Sequence, residues 1–184
     1  MSVPHDPSLV LATPHAALGA SYQRLVAEVT GAGEKLIPFP LAFPSDDIDA
    51  LLLRLEACAR GIDLPEGFVP HSTYWLVRDR TEVVGVANLR HALTPALRVE
   101  GGNIGYGIRP SARGRRYGVA ILALALARAR DIGLDRVLLT CAKSNVASAR
   151  TIERNGGVLA DEAYLPERGE VVLRYWIDVA SRSA

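Results

Sequence analysis

A chain of 184 residues, 49% apolar and 22% charged, has enough hydrophobic side chain for one core and is expected to form a single domain over 1–184. A formal net charge of +1 gives no global field for a polyanion, so no nucleic-acid partner is expected and any anion site must be local. The apolar stretch Val119 to Ala127 is far shorter than the roughly 20 residues needed to span a bilayer; with two cysteines, Cys58 and Cys141, and no leader pattern in the first ten residues, the expected setting is the cytoplasm, with no membrane partner.

In chain order, Leu9 to Ala12 reads as a short strand, and Ala16 to Val29 as a helix with Leu18, Tyr22, Leu25, Val26 and Val29 on one stripe. Gly31 and Gly33 end it. The prolines from Ile37 to Pro44 forbid regular structure and leave a loop with apolar anchors. Ser45 is placed to cap a second helix that turns Ile48, Leu51, Leu52 and Leu55 inward, with Asp46 and Asp47 at its positive end and Gly61 stopping it. Thr73 to Arg78 and Glu82 to Leu89 read as an antiparallel pair about the turn Asp79-Arg80-Thr81, with Gly85 allowing a close approach. A long loop through Pro95, Gly101 and Gly102 leads to a strand from Asn103 to Ile108, one face of which is bare at Gly105 and Gly107.

The remainder alternates: a helix from Tyr117 to Asp131, a strand from Arg136 to Thr140, a helix from Val146 to Arg154, a strand from Val158, a turn at Pro166 to Gly169, and a closing strand through Val171 and Ile177. Alternation favours parallel pairing. The fold class expected is α/β (α+β), with a mixed, partly splayed central sheet of about six to seven strands flanked by helices on both faces, antiparallel in its first half and partly parallel in its second.

The chemistry concentrates between Ile104 and Ala120, where a strand passes through a basic loop into an apolar helix. The first amides of a helix lack internal partners and carry partial positive charge, which suits a pyrophosphate. Gly114 and Gly118 allow close approach, and Arg109, Arg113, Arg115 and Arg116 place four cations within eight residues. Neither a Walker loop nor a G-x-G-x-x-G dinucleotide fingerprint is present, and no metal-ligand set is expected.

These residues resemble the GNAT superfamily of acetyl-coenzyme A dependent N-acyltransferases. Its signature is Arg or Gln, two residues, Gly, one residue, then Gly or Ala; Arg113 and Gly118 match the ends, and Arg116 stands where the middle glycine belongs. A second block agrees: Asn145, Ser148, Glu153 and Gly156 follow the pattern Asn-x-x-Ser, helix, Glu-Lys-x-Gly, with Arg154 in place of lysine. The resemblance implies acetyl-CoA as acyl donor, a primary amine of a small molecule or peptide as acceptor, direct attack in a ternary complex, and a homodimer as one form of assembly. It implies a splayed pair of parallel strands ending at Ile108 and Thr140, with pantetheine between them. The cofactor-binding residues implied are Tyr106, Gly107, Ile108, Arg113, Gly114, Arg115, Arg116, Tyr117, Gly118, Val119, Asn145 and Ser148, with Asn145 also a helix cap.

Many members carry a glutamate base at the position of Asn103 and a tyrosine acid at that of Ile152; this chain has neither group. Tyr106 and Glu100 are the candidate catalytic residues, with His71 and His91 as further proton acceptors, and Cys141 following the strand that ends at Thr140. The alternative is a non-catalytic acetyl-CoA or CoA-binding sensor or scaffold. The resemblance puts the acceptor site in residues 16 to 71 and 164 to 175, where Phe39, Phe43, Tyr74, Trp75, Tyr164 and Trp176 are the aromatic candidates.

Overall fold

Seven strands in two antiparallel blocks carry five α-helices in the computed structural model, which describes residues 6–180. Residues 1–5, half of the stretch read as leader-free, and 181–184 lie outside the described residues. The elements are β1 Leu9–Ala12, α1 Gly19–Gly31, α2 Ile48–Arg60, β2 His71–Arg78, β3 Glu82–Arg90, α3 Pro95–Val99, β4 Ile104–Ile108, α4 Tyr117–Asp131, β5 Arg136–Ala142, α5 Val146–Arg154, β6 Val158–Leu165 and β7 Glu170–Asp178. Strand order is β1-β2-β3-β4 in one block and β5-β7-β6 in the other.

The partly parallel pairing expected of the second half is not found: every ladder is antiparallel. After α5 the chain returns as the β6–β7 hairpin, and β7 inserts between β5 and β6, pairing with both. Helix α4 brings β5 alongside β4, but no ladder joins them. They are pinned at their starts, where the Asn103 amide donates to the Leu138 carbonyl at 2.7 Å and the Leu138 amide donates to Asn103 Oδ1 at 2.9 Å.

Local chemistry accounts for the element ends. Asp47, not Ser45, caps α2, its Oδ1 accepting from the Ala50 amide at 3.0 Å. Gly61 ends that helix at φ +73°, a conformation that favours glycine. Helix α3, absent from the sequence reading, is started by Thr94, whose side chain accepts from the Leu97 amide, followed by Pro95 at the first turn. At Gly85 an added Cβ would come within 2.9 Å of the Gly107 carbonyl oxygen, so β3 and β4 need the glycine for their approach.

Two cores flank the first sheet. On one face, Tyr22, Leu25 and Val29 of α1 and Leu51 and Leu55 of α2 pack on Trp75, Val77, Val83 and Val86, with the Tyr22 and Trp75 rings stacked 4.5 Å apart. On the other, Ile121, Leu122, Ala125 and Ala129 of α4 meet Val84, Ala87, Leu89 and Leu139. Each large side chain sealed in this way contributes about 1.5–3 kcal/mol before entropy is charged against it.

Candidate functional site

The free edge of β4 is set by its pairing with β3. The Arg109 amide bonds the Val84 carbonyl at 2.9 Å and the Arg90 amide bonds the Asn103 carbonyl at 2.7 Å. In an antiparallel ladder bonding pairs alternate, so Gly105 and Gly107 spend their main-chain groups on β3 while those of Tyr106 and Ile108 turn toward β5. That edge has no strand partner among the described residues. A cavity of about 340 Å³ opens against it, lined by Tyr106, Gly107 and Ile108 together with Val29, Ile37 and Asn145.

The bare face at Gly105 and Gly107 is not left for a ligand. An added Cβ on Gly107 would lie 2.3 Å from the Ile37 carbonyl oxygen, and one on Gly105 would lie 3.3 Å from Pro38 Cβ. The proline-rich loop after α1 covers this strip, so room for an extended ligand exists along the edge of β4 rather than over its face.

Beyond β4, the chain turns through residues 110–112 and then through Gly114 at φ +77° and Arg116 at φ +62° before α4 begins. Left-handed residues alternating with ordinary ones aim successive amides inward, the geometry of an anion nest. Among the described residues, the amides of Gly114, Arg115, Arg116, Tyr117 and Gly118 have no hydrogen-bond acceptor, whereas the Val119 and Ala120 amides bond the Arg116 carbonyl. The nearest obstacle to a Cβ on Gly118 is Thr151 Oγ1 at 3.4 Å. Donors and access therefore fit a diphosphate at the amino end of α4.

The cluster of four free cations expected here is reduced to two. Arg109 is drawn back to Glu28 and Glu82, and Arg113 grips both oxygens of Glu34, at 2.8 and 2.6 Å, while its Nε donates to the Ile108 carbonyl. Those hydrogen bonds hold the Glu34 carboxyl below its ordinary range. The Arg113 amide is also engaged, by the Pro110 carbonyl. Arg115 and Arg116 have no acidic partner among the described residues and are exposed beside the unpaired amides.

Asn145 is the cap foreseen for α5, its Oδ1 accepting from the Ser148 amide at 3.1 Å, and the residue also lines the cavity. Across the gap between the strands, the Tyr106 hydroxyl lies 3.1 Å from Ser148 Oγ. Burial pushes the Tyr106 phenol up to about 12, so it stays protonated at neutral pH. Cys141 is buried close by, and burial also raises its thiol above the ordinary value.

The other candidates are distributed differently. Asn103 is 2% exposed and its side chain is consumed by Leu138 and the Arg90 carbonyl. Ile152 is fully buried in the core. Glu100 pairs with Arg168 of the β6–β7 hairpin at 2.7 Å, and His91 meets Ser72 Oγ at 2.9 Å. His71 is buried against the Phe39 ring, 4.9 Å between centroids, and Phe39 also meets Phe43 and Phe68 edge-on. Phe68 escaped the sequence reading because it sits in a Pro- and Gly-rich loop with no periodicity. Trp75 belongs to the core and Tyr164 is exposed on β6, so the six aromatic candidates do not form one pocket. A cavity of about 550 Å³ between α2 and β2, lined by Leu52, Leu53, Glu56, Thr73 and Tyr74, contains none of the expected cofactor residues.

Among the described residues no helix is long and apolar enough to cross a membrane. Residues 45–158 match the model of the acetyltransferase (GNAT) domain. No curated protein sequence matches the chain. Its fold is similar to that of RimJ from Mycobacterium smegmatis in complex with a CoA disulfide, with a TM-score of 0.70 and 18% identity over 96% of this chain and 84% of that one. It is similar to the microcin C7 self-immunity acetyltransferase MccE in complex with acetyl-CoA and AMP, with a TM-score of 0.68 and 16% identity over 95% and 93%. It is similar also to the Salmonella typhimurium acetyltransferase that modifies the N-terminal serine of ribosomal protein L7/L12, with a TM-score of 0.67 and 17% identity over 93% and 95%. At these identities the likeness speaks to the fold alone.

Proposed function

Because the chain belongs to the GNAT acetyltransferase family, we propose that it is an N-acetyltransferase, one domain over 1–184, that moves the acetyl group of acetyl-CoA to a primary amine. The observation that carries this reading is the run of five unpaired amides from Gly114 to Gly118 at the amino end of α4. An unpartnered donor run of this kind suits a diphosphate. Acetyl-CoA supplies an activated acyl thioester; the rest of the chemistry is positioning, which contributes about 7–11 kcal/mol where the reacting groups are well aligned.

In this reading the pantetheine amides pair along the free edge at the main-chain groups of Tyr106 and the Ile108 amide, beside Asn145, the Ile108 carbonyl being held by Arg113. Gly114, Arg115, Arg116, Tyr117 and Gly118 present main-chain donors to the pyrophosphate, Val119 closes the first turn, and Arg115 and Arg116 add charge. Arg113 shapes the loop through Glu34. A strand-edge amide faces the acyl oxygen and stabilises it as attack proceeds. As the C–N bond forms and the C–S bond breaks, the amine's proton passes to solvent or to the departing thiolate, and the Tyr106 hydroxyl, protonated and linked to Ser148, stabilises that thiolate by donating a hydrogen bond, a role that Ile152 cannot fill. Relatives of this fold act on protein amino termini and polyamines, and the acceptor here is a small-molecule or peptide amine.

The test is thiol release from acetyl-CoA with a panel of primary amines, beside calorimetry with CoA. Turnover with any amine supports the enzyme; tight CoA binding with no thiol released across the panel favours a sensor, and absence of CoA binding removes both.

A further inference from the structure

Resting on the acyltransferase reading, we propose that Arg90 and His71 form a carboxylate-binding site and that the amine acceptor carries a carboxylate. The two residues stand directly opposite each other in the β2–β3 ladder, so their side chains share the sheet face that the 37–39 loop covers.

Arg90 is half-buried and has no acidic partner among the described residues. Its Nη1 donates to the Gly101 and Gly102 carbonyls at 3.1 and 3.2 Å, leaving Nε and Nη2 uncommitted. Arg78, Arg109, Arg113 and Arg174, by contrast, each hold a carboxylate. A guanidinium withdrawn from water without a counter-ion is costly, and burial lowers its proton affinity.

His71 adds the second, independent observation. It is 2% exposed and its Nε2 has no partner. Asn88 Nδ2 lies 3.0 Å from His71 Nδ1 and also faces the Ser72 carbonyl at 3.3 Å and Thr73 Oγ1 at 3.2 Å. A carbonyl only accepts, so Nδ2 is the donor, His71 Nδ1 accepts, and the proton of the neutral ring sits on Nε2. The cluster thus holds a buried N–H donor and an uncommitted guanidinium edge, with no anion among the described residues to satisfy them. A carboxylate takes both: two parallel bonds from Arg90 and one from His71.

The cluster lies beneath the 37–39 loop that fills the strip at Gly105 and Gly107, so a carboxylate reaches it only where Phe39 gives way. Arg90 reaches within 4.0 Å of where a Gly105 Cβ would stand, one residue from the Tyr106 edge assigned to pantetheine. Phe39, 5.7 Å from the Arg90 guanidinium, shields the pair from water and strengthens the attraction.

The test compares amino acids with their carboxamides as acceptors in thiol release. The expected result is kcat/KM at least tenfold higher for the carboxylates, and a tenfold or greater loss for the carboxylates alone in Arg90→Met, with Arg90→Lys intermediate. Equal use of both members by the wild type overturns the proposal. So does an equal loss for both in Arg90→Met, the behaviour of a mere clamp on the 101–102 loop. A readout without turnover or variants is the His71 Nε2–H resonance of the wild type, titrated with N-acetylglycine and with N-acetylglycinamide. A shift with the first alone supports the site, and no shift with either counts against it. Carboxylate binding with no thiol release from any amine would sink the acyltransferase reading while leaving the site standing; thiol release without preference or shift would do the reverse.

Discussion

Asn103 and Leu138 hold the two sheet blocks together through a pair of hydrogen bonds, 2.7 Å from the Asn103 amide and 2.9 Å to its side-chain oxygen. Above this pin no ladder joins β4 and β5, so the pin fixes where the gap between the two strands begins. Asn103 therefore does architectural work where many family members carry a base. Asn103→Ala leaves the Leu138 amide buried without an acceptor and should lower stability by about 1–3 kcal/mol. With the protein held folded at low temperature, kcat should stay within a few fold of wild type. Denaturant unfolding and single-turnover rates check the two halves, and a thousandfold fall in kcat would assign Asn103 a chemical role.

Variants at Gly118 and Arg116 separate what the backbone would contribute to the proposed diphosphate site from what side chains would contribute. Gly118→Glu sets bulk and negative charge at the unpaired amides, and CoA affinity measured by calorimetry should fall beyond detection with the unfolding temperature little changed. Arg116→Gly keeps the amide and removes a side chain from a residue at φ +62°. It should leave stability unchanged or raised by up to about 1 kcal/mol and cost CoA affinity less than about tenfold, the loss shrinking with added salt. A larger, salt-independent loss would mean that the guanidinium, not the main chain, carries the site.

Tyr106→Phe removes the hydroxyl that meets Ser148 at 3.1 Å. Stability should fall by about 1 kcal/mol, and kcat by about a hundredfold with KM little altered. Since the phenol is held near 12, wild-type activity should show no ionisation of this group between pH 7 and 10. An unchanged kcat in the phenylalanine variant would strike Tyr106 from the chemistry.

What the sequence makes legible is local. The bounds of α4 follow from apolar spacing and those of α5 from the Asn145 cap, and the loop that leads into α4 is marked by its glycines and arginines next to an apolar helix. What it hides depends on distant partners. Arg109 and Arg113 read as free cations because Glu28, Glu82 and Glu34 lie remote in the chain, and only folding brings them into contact. The bare strip at Gly105 and Gly107 reads as ligand space because nothing local shows that Ile37 and Pro38 fill it. Strand alternation favours parallel pairing in the second half, but the insertion of β7 between β5 and β6 is a strand order set by the whole sheet. Helix α3 was within reach: Thr94-Pro95 is a start signal, obscured by the glycines that follow so closely.

His71 gives the fold a dependence on acid whose sign is fixed by its burial. Desolvation first, then the nearby Arg90 and His91 charges, lower its folded value to about 4 from an ordinary 6.5. Between those values the unfolded chain binds a proton that the folded one refuses, so stability rises with pH through that window. The contribution is complete above pH 6.5 and is lost as pH falls toward 4. The gap corresponds to about 3.5 kcal/mol at most, the scale on which a single pKa unit is about 1.4 kcal/mol. Denaturant midpoints measured from pH 4 to 8 should show this slope in the wild type and a shallower one in His71→Gln, where the titrating ring is gone. A carboxylate probe that seats between His71 and Arg90 should move the same ring the other way, its negative charge raising the folded value and flattening the wild-type slope. A slope that steepens, or ignores the probe, would mean that His71 is sealed off from any ligand.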